Sequence, residues 1–189
     1  MYLFFDTETT GLPRNWKAPV TDLDNWPRLV QLAYLLYDND GNKITGGDYI
    51  IRPEGFTIPP GASKVHGITT ERAISEGHPV REVLQEFSEL MEESTHLVAH
   101  NFSFDEKIIG AEFLRNGISN GVYSKRKICT MQSTIDFCAL PGRYGYKWPK
   151  LSELHYKLFG THFEEAHNAA CDITATARCF WKLREMEKI

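Results

Sequence analysis

Residues 2 to 5, Tyr-Leu-Phe-Phe, form an unbroken apolar run that passes without a turn residue into Asp6-Thr7-Glu8. Such a run reads as a buried strand, and a buried strand needs other layers to cover it. Side chains alternate along a strand, so Asp6 and Glu8 leave one face and Thr7 the other. Two acids at the end of so apolar a segment have no packing role. Their mutual repulsion calls for a cation.

Around this strand the pattern supplies a mixed sheet with helices packed on it. Residues 29–38 and 43–53 flank the Gly-containing turn DNDGN and read as a hairpin, and 96–99 (HLVA) as another short buried strand. Apolar residues at 80, 83, 84, 87, 90 and 91 mark an amphipathic helix over 80–93. Further helices are expected at 102–115, 131–139, 150–159 and 168–186. IPPGASKVHGIT reads as a loop with at most a short helix. Neither low-complexity sequence nor a linker interrupts the chain, which is expected to be one domain over residues 1–189.

One local pattern occurs twice. Residues 99–105 read AHNFSFD and residues 166–172 read AHNAACD, while the flanking sequences do not align. A histidine thus stands five places before an aspartate in both copies, and each copy precedes an expected helix. With Asn101 and Asn168 as N-caps, Asp105 and Asp172 fall on the fourth helical residue, whose side chain leans back toward the helix start. The spacing aims a carboxylate at whatever lies there. Together with Asp6 and Glu8 this makes four carboxylates, an all-oxygen set suited to Mg²⁺ or Mn²⁺ rather than to thiolate-bound zinc. Four negative charges exceed what one ion balances, and two ions about 4 Å apart would match them.

Composition narrows the partners. The 189 residues are 42% hydrophobic and carry a net charge of −4, which argues against strong non-specific binding to nucleic acid. The charge is uneven, because residues 125–150 hold six basic residues against one acid, Asp136, with Tyr123, Tyr144, Tyr146 and Trp148 interleaved. That mixture suits either a single strand, with cations for phosphates and rings for bases, or a solvated loop with aromatic anchors. There is no run of 18 apolar residues and no basic segment at the start MYLFFDTE, so neither a spanning helix nor a signal peptide is expected. Cys129, Cys138, Cys171 and Cys179 lack metal-finger spacing and fit a reduced, cytoplasmic chain.

DTETTGL, HNFSFD and AHNAACD, in this order, resemble the three motifs of the DEDDh (DnaQ-like) 3′-5′ exonuclease family, the group that includes the proofreading epsilon subunit of bacterial DNA polymerase III. KVHGIT (64–69) resembles the segment between the first two motifs. The resemblance implies a ribonuclease-H-like α/β fold, a mixed five-stranded sheet flanked by helices. It also implies hydrolysis at a free 3′ end of single-stranded DNA, releasing nucleoside 5′-monophosphates with two Mg²⁺ or Mn²⁺ ions. Asp6 then matches the acid shared by both ions, Glu8 and Asp172 the ligands of the ion holding the attacking water, and Asp105 the acid on the second. His167 matches the general base. Thr7, Thr9, Leu12, His66 and Phe102 fall where relatives hold the terminal nucleotides. The loop from Pro13 to Arg28 looks longer than in compact relatives. The alternatives are an exoribonuclease trimming RNA 3′ ends, a non-catalytic nucleic-acid-binding domain and a generic two-metal phosphatase. A polymerase is a possible partner, and no membrane association is expected.

Overall fold

The computed structural model describes residues 1–119, 121–163 and 168–189, and of Tyr123 only the backbone. Strand β1 (Tyr2–Thr9) lies at the centre of a five-stranded sheet. β2 (Leu29–Tyr37) and β3 (Lys43–Ile50) extend it antiparallel on one side, and β4 (His96–Ala99) and β5 (Arg126–Cys129) parallel on the other, in the order β3-β2-β1-β4-β5. This is the mixed five-stranded α/β architecture expected.

Alternation along β1 decides which helices cover which face. Leu3 and Phe5 point to the layer of α3 (Val80–Glu93) and α4 (Phe102–Arg115), packing with Val83, Leu84, Phe87, Ile108 and Phe113. Tyr2 and Phe4 point to the opposite layer, where α8 (Ala169–Glu185) supplies Ala169, Ile173, Ala177 and Phe180. Phe180 meets the Phe4 ring edge-on at 5.1 Å. Each fully buried aromatic or aliphatic side chain contributes roughly 1.5–3 kcal/mol, so the sandwich is held from both sides.

Several elements depart from the sequence expectation. The stretch read as a loop with at most a short helix holds one, α1 (Pro60–His66), and a second helix that the pattern did not announce, α2 (Thr70–Glu76), follows it. Pro60 opens the first, where a missing N–H costs nothing, and the Thr69 hydroxyl caps the second by accepting from Arg72 N at 3.2 Å. Gly67, at φ 74°, ends the first in the left-handed conformation that favours glycine. The helix expected at 131–139 is broken into α5 (Thr130–Ser133) and α6 (Ile135–Cys138), because Thr134 leaves helical geometry and donates its hydroxyl to Thr130 O at 2.6 Å. Strand β5 carries Arg-Lys at a sheet edge, charges that keep an edge from pairing further and hide it from a hydrophobic pattern. A small hairpin, β6 (Pro141–Gly142) and β7 (Gly145–Tyr146), precedes α7 (Leu151–Phe159).

The long loop before β2 is fastened rather than loose. Trp26 is buried and donates Nε1–H to Pro19 O at 3.0 Å. Fully buried Glu112 of α4 accepts from Arg28 Nε and Arg115 Nη1, both at 2.8 Å, and from Leu29 N at 3.2 Å. Arg115 also donates to Leu23 O and Trp26 O. Removing the acid from such a pair leaves cations without their partner. Glu112→Ala should therefore cost about 3 kcal/mol and lower the melting temperature by roughly 6–12 °C. A calorimetric change below 2 °C would show the network to be ornamental.

Candidate active site

The acids gather at the carboxyl ends of β1 and β4, and the sheet's two faces divide them. Asp6 and Glu8 project to the side of α8, and with Asp172 they place carboxylate oxygens within 4.8 Å of one another. Asp6 stands opposite Ala33 on β2, a partner too small to fill the space beside it. Thr7, on the other face, meets Asp105 from α4. Its backbone N–H and hydroxyl both donate to Asp105 Oδ1, at 3.1 and 2.7 Å. Three of the four expected ligands thus converge. The fourth adjoins them, held by the residue between the first two.

Local structure fixes these positions. Asn168 caps α8, its Oδ1 accepting from Ala170 N and Cys171 N at 3.1 and 3.3 Å. Gln31, the one polar residue in LVQLAYLLY, is buried. It donates to Asp48 Oδ1 at 2.6 Å and accepts from Ala169 N at 3.4 Å, tying the start of α8 to β2. The expected equivalence of the two Asn caps fails. Asn101 sits at the cap position of α4 in a left-handed conformation, φ 70° and ψ 45°, and its side chain makes no cap bond. The aim of Asp105 is set instead by Thr7.

Burial and crowding show in the electrostatics. Asp6 is held well above the usual carboxylate range, first by burial and then by Asp105, Asp172 and Glu8. Glu8 is pushed up to about 8 by burial and by Asp172 and Asp105. Burial also raises Asp105, against the pull of the two Thr7 donors. These groups bind protons more tightly folded than unfolded. Without a cation, stability should therefore fall as pH rises from the ordinary carboxylate range through about 8. Added Mg²⁺ or Mn²⁺ should raise the melting temperature more at about pH 8.5 than at about pH 5, since ligands must be deprotonated to bind. Equal increments at both pH values would contradict a cation site.

A cleft of about 430 Å³ opens beside the acids, lined by Asp6, His100, Lys150, Leu151, Ser152, Phe163 and Asp172. His100 is locked in it. Its Nε2–H donates to Pro149 O at 3.0 Å, which leaves Nδ1 to accept from the Thr130 hydroxyl at 2.9 Å. Burial lowers its pKa to about 4. His167 lies outside the described residues.

The remaining candidates are spread around the end of β1. Thr9 is buried, its hydroxyl donating to Gly11 O at 2.7 Å. His66 is buried as well, its pKa lowered by burial and partly restored by the nearby Thr9 carbonyl. Leu12 is 73% exposed, whereas Phe102 is 4% exposed and meets Phe5 edge-on at 5.6 Å. Sequence reasoning counted Lys150 in the basic window 125–150 but missed Gln31 and Ser152. Only Gln31 carried a signal, as a polar residue inside an apolar strand.

A sheet of this order, with carboxylates gathered at the ends of its central strands, is the ribonuclease-H-like architecture of nucleases. The RNase T exonuclease family model matches residues 3–180, and the chain belongs to that family. It is 32% identical over 177 residues to a DNA polymerase III of PolC type from Streptococcus pneumoniae, covering 94% of this chain and 11% of that one. It is also 32% identical over 187 residues to a DNA polymerase III epsilon-like protein from Rhodobacter capsulatus, covering 96% of this chain and 23% of the relative. The chain thus spans a quarter or less of these relatives' lengths. Among solved structures, exonuclease I from Methylocaldum szegediense superposes with a TM-score of 0.75 at 22% identity, over 97% of this chain and 40% of the other. Escherichia coli exonuclease I in complex with a dA16 oligonucleotide gives 0.74 at 21% identity, over 97% and 40%. No helix among the described residues is long and apolar enough to cross a membrane.

Proposed function

We propose that the protein is a cation-dependent 3′-to-5′ exonuclease that trims single-stranded DNA from a free 3′ end and releases nucleoside 5′-monophosphates. The observation that carries this reading is the convergence of Asp6, Glu8 and Asp172, with Asp105 beside them, in an environment that penalises their negative charge. Those residues would hold two Mg²⁺ or Mn²⁺ ions. Bound there, the ions would polarise the phosphodiester and lower the pKa of an attacking water. The chain's own part is to orient and to move a proton. Thr7 holds Asp105, Asn168 and Gln31 seat Asp172, and His167 takes the proton from the water. Backbone near Thr7 and Thr9, with Leu12, His66 and Phe102, holds the terminal nucleotide.

Polymerase III relatives and the oligonucleotide complex of exonuclease I support DNA as substrate and a proofreading role beside a polymerase. None of the four cysteines forms a disulfide among the described residues, in keeping with a reducing cytoplasm. The test uses labelled DNA and RNA oligonucleotides with free or blocked 3′ ends and Mg²⁺ or Mn²⁺. Ladders shortening from the 3′ end are expected on free single-stranded DNA, with blocked ends resistant. Internal cutting of a circular single strand would overturn the exonuclease reading, and a preference for RNA would overturn the choice of DNA.

A further inference from the structure

The β6–β7 hairpin exposes three large aromatic rings within five residues: Tyr144 at 88%, Tyr146 at 57% and Trp148 at 60%. Tyr144 sits in the two-residue turn, Tyr146 on β7 and Trp148 just after it. None of these rings serves a core cluster among the described residues. The hairpin is nonetheless anchored. Lys147 N–H donates to Leu140 O at 2.9 Å, closing its base, and Pro149 O receives the Nε2–H of His100. One residue later Lys150 lines the cleft that holds Asp6 and Asp172. The aromatic segment therefore runs directly into the acidic site.

Its charge is sorted in the same direction. The basic window divides into two halves that serve different places. Lys125 is bound by the carbonyls of Glu92 and Ser94 at 3.0 and 2.9 Å, and Lys127 pairs with Glu106. Arg126 lines a groove with Tyr2, His96 and Arg184 at the other end of the sheet. In the second half, Lys147 pairs with Glu153 at 2.5 Å. Arg143, stacked over Tyr144 at 5.1 Å, and Lys150 form no ion pair among the described residues. Two cations thus bracket three exposed rings within eight residues, Arg143 in the hairpin turn and Lys150 at the cleft.

We infer that residues 143–150 are a platform for the single strand upstream of the scissile phosphate. Bases stack on Tyr144, Tyr146 and Trp148, and phosphates are met by Arg143 and Lys150. This deepens the exonuclease reading and rests on it. A ring accepts any base, so the platform selects for unstacked, single-stranded nucleic acid rather than for sequence. It also accounts for how a chain of net negative charge holds such a strand: the cations are local.

The test compares the wild-type protein with a variant carrying Tyr144→Ala, Tyr146→Ala and Trp148→Ala. All three side chains are exposed, so melting temperatures should agree. Two substrates are used, an oligothymidylate of about twelve nucleotides and the p-nitrophenyl ester of thymidine 5′-monophosphate, which is too short to reach the hairpin. The kcat/KM ratio of oligonucleotide to ester should fall at least about 5-fold, the lower bound for losing one stacked base, through KM rather than kcat. Fluorescence anisotropy in excess chelator should show the same loss of oligonucleotide affinity. An unchanged ratio and unchanged affinity would overturn the platform. If the wild type cleaves neither substrate, the exonuclease reading fails, and the anisotropy comparison alone decides the platform.

Discussion

Replacing Asp6 with asparagine should reduce oligonucleotide hydrolysis by about 10⁴-fold or more, a loss of over 5 kcal/mol in transition-state stabilisation. Asp6 is repelled by Asp105, Asp172 and Glu8 together. The same repulsion gives the variant a second signature. Asn is nearly isosteric and uncharged, so in chelator near neutral pH the variant should melt no lower than the wild type, and should lose the gain that Mn²⁺ confers. Hydrolysis by Asp6→Asn within tenfold of wild type, or wild-type activity surviving excess chelator, would sink the cation mechanism.

The second large effect separates the two histidines of the repeated motif. His167→Ala should lower kcat by roughly 10²–10⁴-fold, the usual worth of a general base, with strand affinity kept. The wild-type rise in rate between about pH 6 and 8 should disappear with it. His100→Ala should act on stability instead, because both ring nitrogens are engaged by Thr130 and Pro149. The native ring titrates at about 4 and the unfolded one at about 6.5, so the unfolded chain takes up a proton first as pH falls. The stability this histidine gives is whole above pH 6.5 and drains away toward about 4. Thermal melts should show that acid limb shrinking in His100→Ala. Loss of turnover in a stably folded His100→Ala protein, with His167→Ala still active, would exchange the roles.

Much of this was legible because it rests on local rules. The YLFF run, the alternation of Asp6 and Glu8 and the fixed offsets of Asp105 and Asp172 from their helix starts depend on period and spacing. The structure reproduces the strand, the shared face and the two helical positions. What escaped was set by tertiary partners. Asn101 gives up its cap because the turn after β4 takes it left-handed, and Thr7, 98 residues away, restrains Asp105 in its place. Strand β5 is short, charged and at an edge, so no apolar pattern announced it. The ion network around Glu112 joins Arg28 and Leu29 to Glu112 and Arg115 across more than 80 residues, and only the fold brings them together.

The acids arrive from opposite sides of the sheet, Asp172 with the α8 layer and Asp105 with the α4 layer. No partial assembly of one face can complete the cluster. Thr7 must find Asp105 across 98 residues, and Asp6 must find a helix from the far end of the chain. Closures that long are slow, because their entropy is lost before any contact rewards it. During refolding, tight capture of Mn²⁺ is therefore a late event that trails the recovery of helical signal. Its time course is a clock for the docking of the last layer.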